Sequence, residues 1–180
     1  MAGKSEYEGV QRFRESLRRT LSCIVRGAYV DVKGGYYPSR TPHPLTLMDG
    51  LPVELGGGTG LSIKVSQQYR LIEAPSSIRP WRVSTVAYHY TLQVADGAEI
   101  ISYQWHPRVP NSVGFPHLHI RQGAGLGREE FQRAHLPTGR VALENFVRLL
   151  IVDFGVPPEK DNWEDELAKS LAEFEADRSW

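Results

Sequence analysis

From residue 61 the chain settles into alternation. Leu61, Ile63, Val65, Tyr69 and Leu71 take turns with Ser62, Lys64, Ser66, Gln68 and Arg70, the period of two that a half-buried β-strand imposes. A turn at Pro75-Ser76-Ser77 leads into a second strand, Trp81 to Val94. Asp96-Gly97 then predicts a two-residue type I′ hairpin, with a return strand from Ala98 to about His106. Pro107, Pro110 and Gly114 interrupt the chain before one more strand, Phe115 to Arg121, and Gly123 to Gly127 is a glycine-rich connection.

Either side of this sheet pattern the period lengthens to that of a helix. Ser5-Glu6-Tyr7-Glu8 has capping-box spacing, and the helix it opens spans 4–26. Its apolar stripe is Tyr7, Val10, Leu17, Leu21 and Ile24, at three- and four-residue steps. Arg12, Arg19 and Arg26 form a second stripe, expected to be a solvated face, with a contact surface for phosphates or an acidic partner as the alternative. Val141 to Phe154 is too apolar all round for a surface helix, and Gly155 with Pro157-Pro158 ends it. Asp161-x-x-Glu164 opens a last helix with Trp163, Leu167, Leu171 and Phe174 on one stripe. Residues 33–60 are rich in Pro and Gly and predict a long connection with one short strand near Pro52-Leu55. The expectation is an α+β protein of one domain over 1–180. An antiparallel sheet of four to five strands (61–121) is packed on one face by the N-terminal helix and by two C-terminal helices within 141–178.

The hairpin fixes a register. Pairing Ala95 with Ala98 sets Tyr90 opposite Tyr103, Tyr88 opposite Trp105 and Leu92 opposite Ile101, an aromatic and aliphatic face for the helices to cover. The other face then carries His89 opposite Gln104, Thr91 opposite Ser102, and His106 near Ala87. His117 and His119, two residues apart, share a face while Leu118 and Ile120 take the other. If the latter pair faces the core, four histidines meet on the polar side. A slip of one residue would bury them all instead.

Composition narrows the chemistry. The 180 residues carry 21 basic and 21 acidic side chains, so no overall field draws the chain to nucleic acid or lipid. The single cysteine, Cys23, excludes an internal disulfide and fits a reducing cytosol; near the apolar side of its helix it reads as a packed, inert thiol. No apolar signal core or membrane-length apolar run is present, which predicts a soluble, cytoplasmic protein without membrane partners. Gly56-Gly57-Gly58-Thr59-Gly60 lacks the Lys-Ser/Thr ending and the following helix of a phosphate-binding loop. Imidazole is the side chain that titrates nearest neutrality, and four of the six histidines lie between residues 89 and 119. His43 and His135 lie in expected loops and receive no role.

Tyr88-His89-Tyr90, Ala95-Asp96-Gly97, Ile100, Tyr103, His106-Pro107 and Phe115-Pro116-His117-Leu118-His119, in that order, resemble the core of the TumE-like toxin family of bacterial toxin–antitoxin systems. The resemblance covers about residues 69–121. It departs at Leu118, where the family tends to carry His or Lys, and the N-terminal helix and the C-terminal half lie outside it. It implies a toxin role and a cognate antitoxin partner, and leaves the catalytic mechanism open.

Two chemical readings of the histidine face follow. In the first, the protein is an endoribonuclease that needs no metal or other cofactor. His117 and His119, about 7 Å apart along the strand, serve as acid and base on RNA, with His89 and His106 nearby. Arg70 or Arg121 stabilises the developing phosphorane charge, and Gln104 orients an imidazole. In the second, His117 and His119 hold zinc or another divalent first-row metal, with His89 and His106 as further ligands. A non-catalytic binding module is the third possibility.

Overall fold

The computed structural model describes residues 2–74, 77–107, 113–126 and 129–176. The expected turn at Pro75-Ser76, the break at Pro110, Gly127 and the helix end beyond 176 lie outside these residues. Among them, strands β1 (Ala2–Gly3), β2 (Val30–Val32), β3 (His43–Leu47), β4 (Val53–Glu54), β5 (Leu61–Glu73), β6 (Trp81–Val94), β7 (Glu99–Trp105), β8 (His117–Ile120) and β9 (Leu136–Pro137) join one sheet. Its order is β2-β3-β5-β6-β7-β8-β9, with β1 beside β6 and β4 beside β5, and every pair is antiparallel. Helices α1 (Glu6–Leu21), α2 (Glu129–Arg133), α3 (Leu143–Val152) and α4 (Trp163–Ala176) complete the α+β fold. No described helix is long and apolar enough to cross a membrane.

The sheet has nine strands where four to five were expected. The excess comes mostly from the Gly/Pro-rich stretch, whose residues His43 to Thr46 pair with Tyr69 to Ser66 and turn His43, Leu45 and Leu47 into the core. Pro44 and the surrounding glycines hide that alternation from a periodicity reading.

The β6–β7 register agrees with the sequence, although the turn does not. Tyr88 pairs with Trp105, His89 with Gln104, Tyr90 with Tyr103, Thr91 with Ser102 and Leu92 with Ile101. Gly97 N–H bonds back to Val94 O at 2.9 Å and Val94 N–H to Ala98 O at 3.0 Å, so the loop has three residues. A type I′ turn needs a positive φ at both central positions; Gly97 has it, at 88°, and Asp96 does not. Asp96 Oδ1 instead accepts the Ala98 N–H at 2.9 Å. The extra loop residue shifts the pairing by one, and an irregularity after Leu92, where Gln93 pairs with Glu99, shifts it back. Two one-residue departures cancel.

The aromatic face is covered as its composition requires. Phe146 of α3 stacks on Tyr90 at 5.6 Å between ring centroids and meets Tyr103 edge-on at 6.1 Å. Phe13 of α1 lies 5.9 Å from Tyr69, and the Tyr88 hydroxyl accepts the Val141 N–H at 3.0 Å. Where α1, α3 and α4 meet, the buried Glu144 carboxylate takes hydrogen bonds from Thr20 (3.0 Å) and Ser170 (2.7 Å), and Ser16 bonds Ser170 at 2.8 Å. A buried carboxylate satisfied by hydroxyls from two other helices fixes their mutual rotation.

The helices differ in detail from expectation. Ser5 caps α1 by accepting the Glu8 N–H at 3.2 Å, but the α-helix ends at Leu21 rather than Arg26 and a turn follows. Tyr7 is exposed while Phe13 fills the stripe. Arg12, Arg19 and Arg26 are no free basic face: they pair with Glu8, Glu173 and Glu159. α3 is not apolar all round in effect, since Phe146, Val147 and Leu150 are buried and Val152 is exposed. Cys23 is fully buried, and burial pushes its thiol pKa up, as an inert thiol requires. Phe146→Ala should destabilise the protein by about 3–5 kcal/mol, read as a lower urea midpoint; a loss within about 0.5 kcal/mol would mean the hairpin is not held by α3.

Candidate functional site

β8 places the site. It pairs with β7 so that Ser102 faces His119 and Gln104 faces His117, which turns both imidazoles to the polar side of the sheet. Leu118 packs against the core from the other side. Both rings are buried, at 4% and 3% exposure, so they need polar partners. His117 Nδ1 lies 2.9 Å from Phe115 O, and His119 Nδ1 lies 3.0 Å from Ala134 O. A carbonyl oxygen only accepts, so each Nδ1 carries the proton, and in the neutral ring Nε2 is left with its lone pair.

The Ala134 carbonyl belongs to the segment joining α2 to β9, and the next residue is the one the sequence did not single out. His135 lies with its ring centroid 4.9 Å from His117 and 4.5 Å from His119, and those two are 4.8 Å apart. One ligand nitrogen from each of the three falls within 4.8 Å of the others. β9 holds the approach, with His117 opposite Pro137 and Leu118 opposite Leu136. Arg121 braces it from below: its Nη1 donates to Gln132 O at 3.1 Å, and its Nε lies 3.5 Å from Glu99 Oε2, a charge contact rather than a well-formed hydrogen bond. His135 is exposed, so the cluster opens to solvent on that side.

His89 and Gln104 form an adjoining network rather than part of the cluster. His89 Nε2 lies 2.7 Å from Ser102 Oγ, 2.9 Å from Thr91 Oγ1 and 3.1 Å from Gln104 Nε2, and Gln104 Nε2 also donates to Ser102 Oγ at 2.9 Å. The imidazole that Gln104 contacts is that of His89. The Nε2 of His89 is thus engaged within this network, and His89 lies outside the group whose ligand nitrogens converge. His106 meets His89 edge-on at 6.0 Å and lies outside the group whose nitrogens converge. Arg70 is on the polar face but remote. It is four residues, about 13 Å, along β5 from Ser66, and Ser66 is three strands, about 14 Å, from His117 through His89 and Gln104. It cannot reach a phosphate held by His117 and His119. His43 is a core residue, its Nε2 2.9 Å from Tyr37 O and its ring against Tyr69.

The electrostatics favour neutral rings. Burial first, then neighbouring cations including Arg121, lowers His119 to about 4. Burial, then His106 and Arg121, lowers His89 to about 4, and burial lowers His106. Burial is the first cause in all three, because it disfavours the charged ring.

No family model, curated protein or solved structure matches the chain.

A pH dependence follows from the two large shifts. The unfolded chain binds protons at these histidines below about 6.5, and the folded chain refuses them until about 4. Stability is therefore complete above about pH 6.5 and is lost as the pH falls toward 4, by roughly 3 kcal/mol for His89 alone. Urea titrations of metal-free protein across this window should show the falling midpoint, and His89→Gln should flatten the slope. A midpoint independent of pH between 4 and 6.5 would contradict the buried, neutral His89.

Proposed function

We propose that His117, His119 and His135 are the ligands of a divalent metal centre, with zinc the best-suited ion, in a hydrolytic enzyme. The observation that carries the reading is the shared tautomer: two imidazoles from one strand have Nδ1 committed to backbone carbonyls, with Nε2 left to bind, and a third imidazole stands over them. Metal-ligating histidines ordinarily donate their second nitrogen in this way, which fixes the ring and raises its basicity. Nitrogens about 3.4 Å apart suit tetrahedral zinc at about 2.0–2.1 Å. The ligand nitrogens now lie within 4.8 Å of one another, so binding needs a contraction of the triad, in which the exposed His135 takes part. Three protein ligands leave one position open, the arrangement of catalytic rather than structural zinc. A metal held there supplies Lewis acidity for hydrolysis at neutral pH.

The metal-free reading is the weaker of the two. A general acid must be protonated at working pH, and His119, lowered to about 4 by burial and Arg121, is not. His119 is thus fitted to the base's role or to a ligand's, not to the acid's. The resemblance to TumE-like toxins makes RNA the first substrate to test and a neighbouring-gene antitoxin the first partner.

Untagged protein should carry close to one equivalent of metal by elemental analysis. His117→Ala, His119→Ala and His135→Ala should each weaken cobalt or zinc binding by about 100-fold or more, since losing a mere outer partner already costs 10–100-fold. Chelation should abolish RNA cleavage without unfolding the protein. Metal binding that survives His135→Ala would remove the triad; cleavage that survives chelation would restore the metal-free reading.

A further inference from the structure

The polar face carries a concentration of positive charge at the other end of the β5–β6 hairpin. Arg70 pairs with Ser84, and Ile72 with Arg82. Arg70 and Arg82 are thus diagonal neighbours on one face, with backbones roughly 7 Å apart. Both have a buried Nε–H without an acceptor, and Arg70 donates one Nη only to the backbone carbonyl of Arg40. Among the described residues neither guanidinium has a carboxylate partner. A groove beside them is lined by Ser39, Arg40, Arg70 and Ser84. Glu73 also lines it, but pairs with Trp81 on the strand position that turns to the opposite face.

Two like charges set side by side, partly out of water and without an anion, repel each other and waste donors. Arg12, Arg18, Arg19, Arg26 and Arg121, by contrast, each face a glutamate, and Arg14, Arg140 and Arg148 lie over aromatic rings. The Arg70–Arg82 pair coincides with an open groove edged by two hydroxyls and a third arginine. We infer that the groove lined by Arg40 and Arg70, with Arg82 on the strand position beside it, binds an oxyanion of the phosphate class. Guanidinium groups hold such an anion through paired N–H donors, and Ser39 and Ser84 can donate to its remaining oxygens. The site is independent of the histidine cluster, from which the strand spacings separate it.

Titration calorimetry at low ionic strength tests this with inorganic phosphate and, separately, with a short single-stranded oligonucleotide. Phosphate should bind wild-type protein. Arg70→Gln/Arg82→Gln should weaken it by at least about tenfold, as expected for losing charge-assisted bonds. The exposed Arg40→Ala, which disturbs no packing, should weaken it in the same direction and keeps the test open if the double variant fails to fold. Lys64→Gln, on the same face but away from the groove, should leave binding unchanged. An oligonucleotide that binds more tightly than phosphate, and loses that advantage in the arginine variants, assigns the anion to a phosphodiester chain. Equal or weaker binding assigns it to a small phosphorylated ligand. Absence of phosphate binding, or binding indifferent to Arg40→Ala and the double variant, overturns the inference.

Discussion

β7 is held between β6 and β8 and cannot turn both kinds of side chain to the same side. Tyr103 and Trp105 go toward the helices because burying aromatic area is the largest gain the sheet can make. Ser102 and Gln104 must then go the other way. The same constraint passes outward through the ladder: to His89 and Thr91 on one side, to His117 and His119 on the other. The polar face is thus a consequence of how α1 and α3 are packed, and the histidines are carried to their places by residues that never touch them. Arg70 and Arg82 belong to the same arrangement, beyond the irregularity in the β5–β6 ladder at Gln68/Tyr69.

That constraint explains what could be read from residues alone. The pairing of Tyr90 with Tyr103 and of His89 with Gln104 follows from the expected two-residue turn, and it is also the register that keeps the aromatic residues of both strands on one face. The type I′ reading of Asp96-Gly97 was mistaken, and the ladder still closed in the expected register because an irregularity after Leu92 absorbs the extra residue. The shared side of His117 and His119 was likewise secured by a period of two.

His135 was illegible for a complementary reason. It comes from a link between a five-residue helix and a two-residue strand, where no period operates and only the folded chain decides what lies beside what. Its one local signal was the Leu136-Pro137 pair, which ends a polar stretch as an edge strand can, and which predicts nothing about an imidazole one residue earlier. β2 and β3 were missed in the same way. Their alternation is too short, and too broken by Pro44, to stand out until Tyr69 and Leu45 are seen sharing one core. Arg70 shows the limit of facial arguments: the side was right, but two positions on one face of a wide sheet can be too far apart to act together.

The polar face also separates two fates for a buried histidine. His89 is enclosed by Ser102, Thr91 and Gln104, so its low pKa only keeps the sheet neutral. His119 has the same low value, and among the described residues its hydrogen bond runs from Nδ1 to the Ala134 carbonyl. A depressed pKa disqualifies an imidazole as an acid, yet a neutral ring is the form a metal requires. The carbonyl that takes the Nδ1 proton is contributed by the residue just before His135. One short segment therefore both sets the tautomer of one ligand and supplies another, so the fit of α2 and β9 against β8 decides whether three separate histidines become one site.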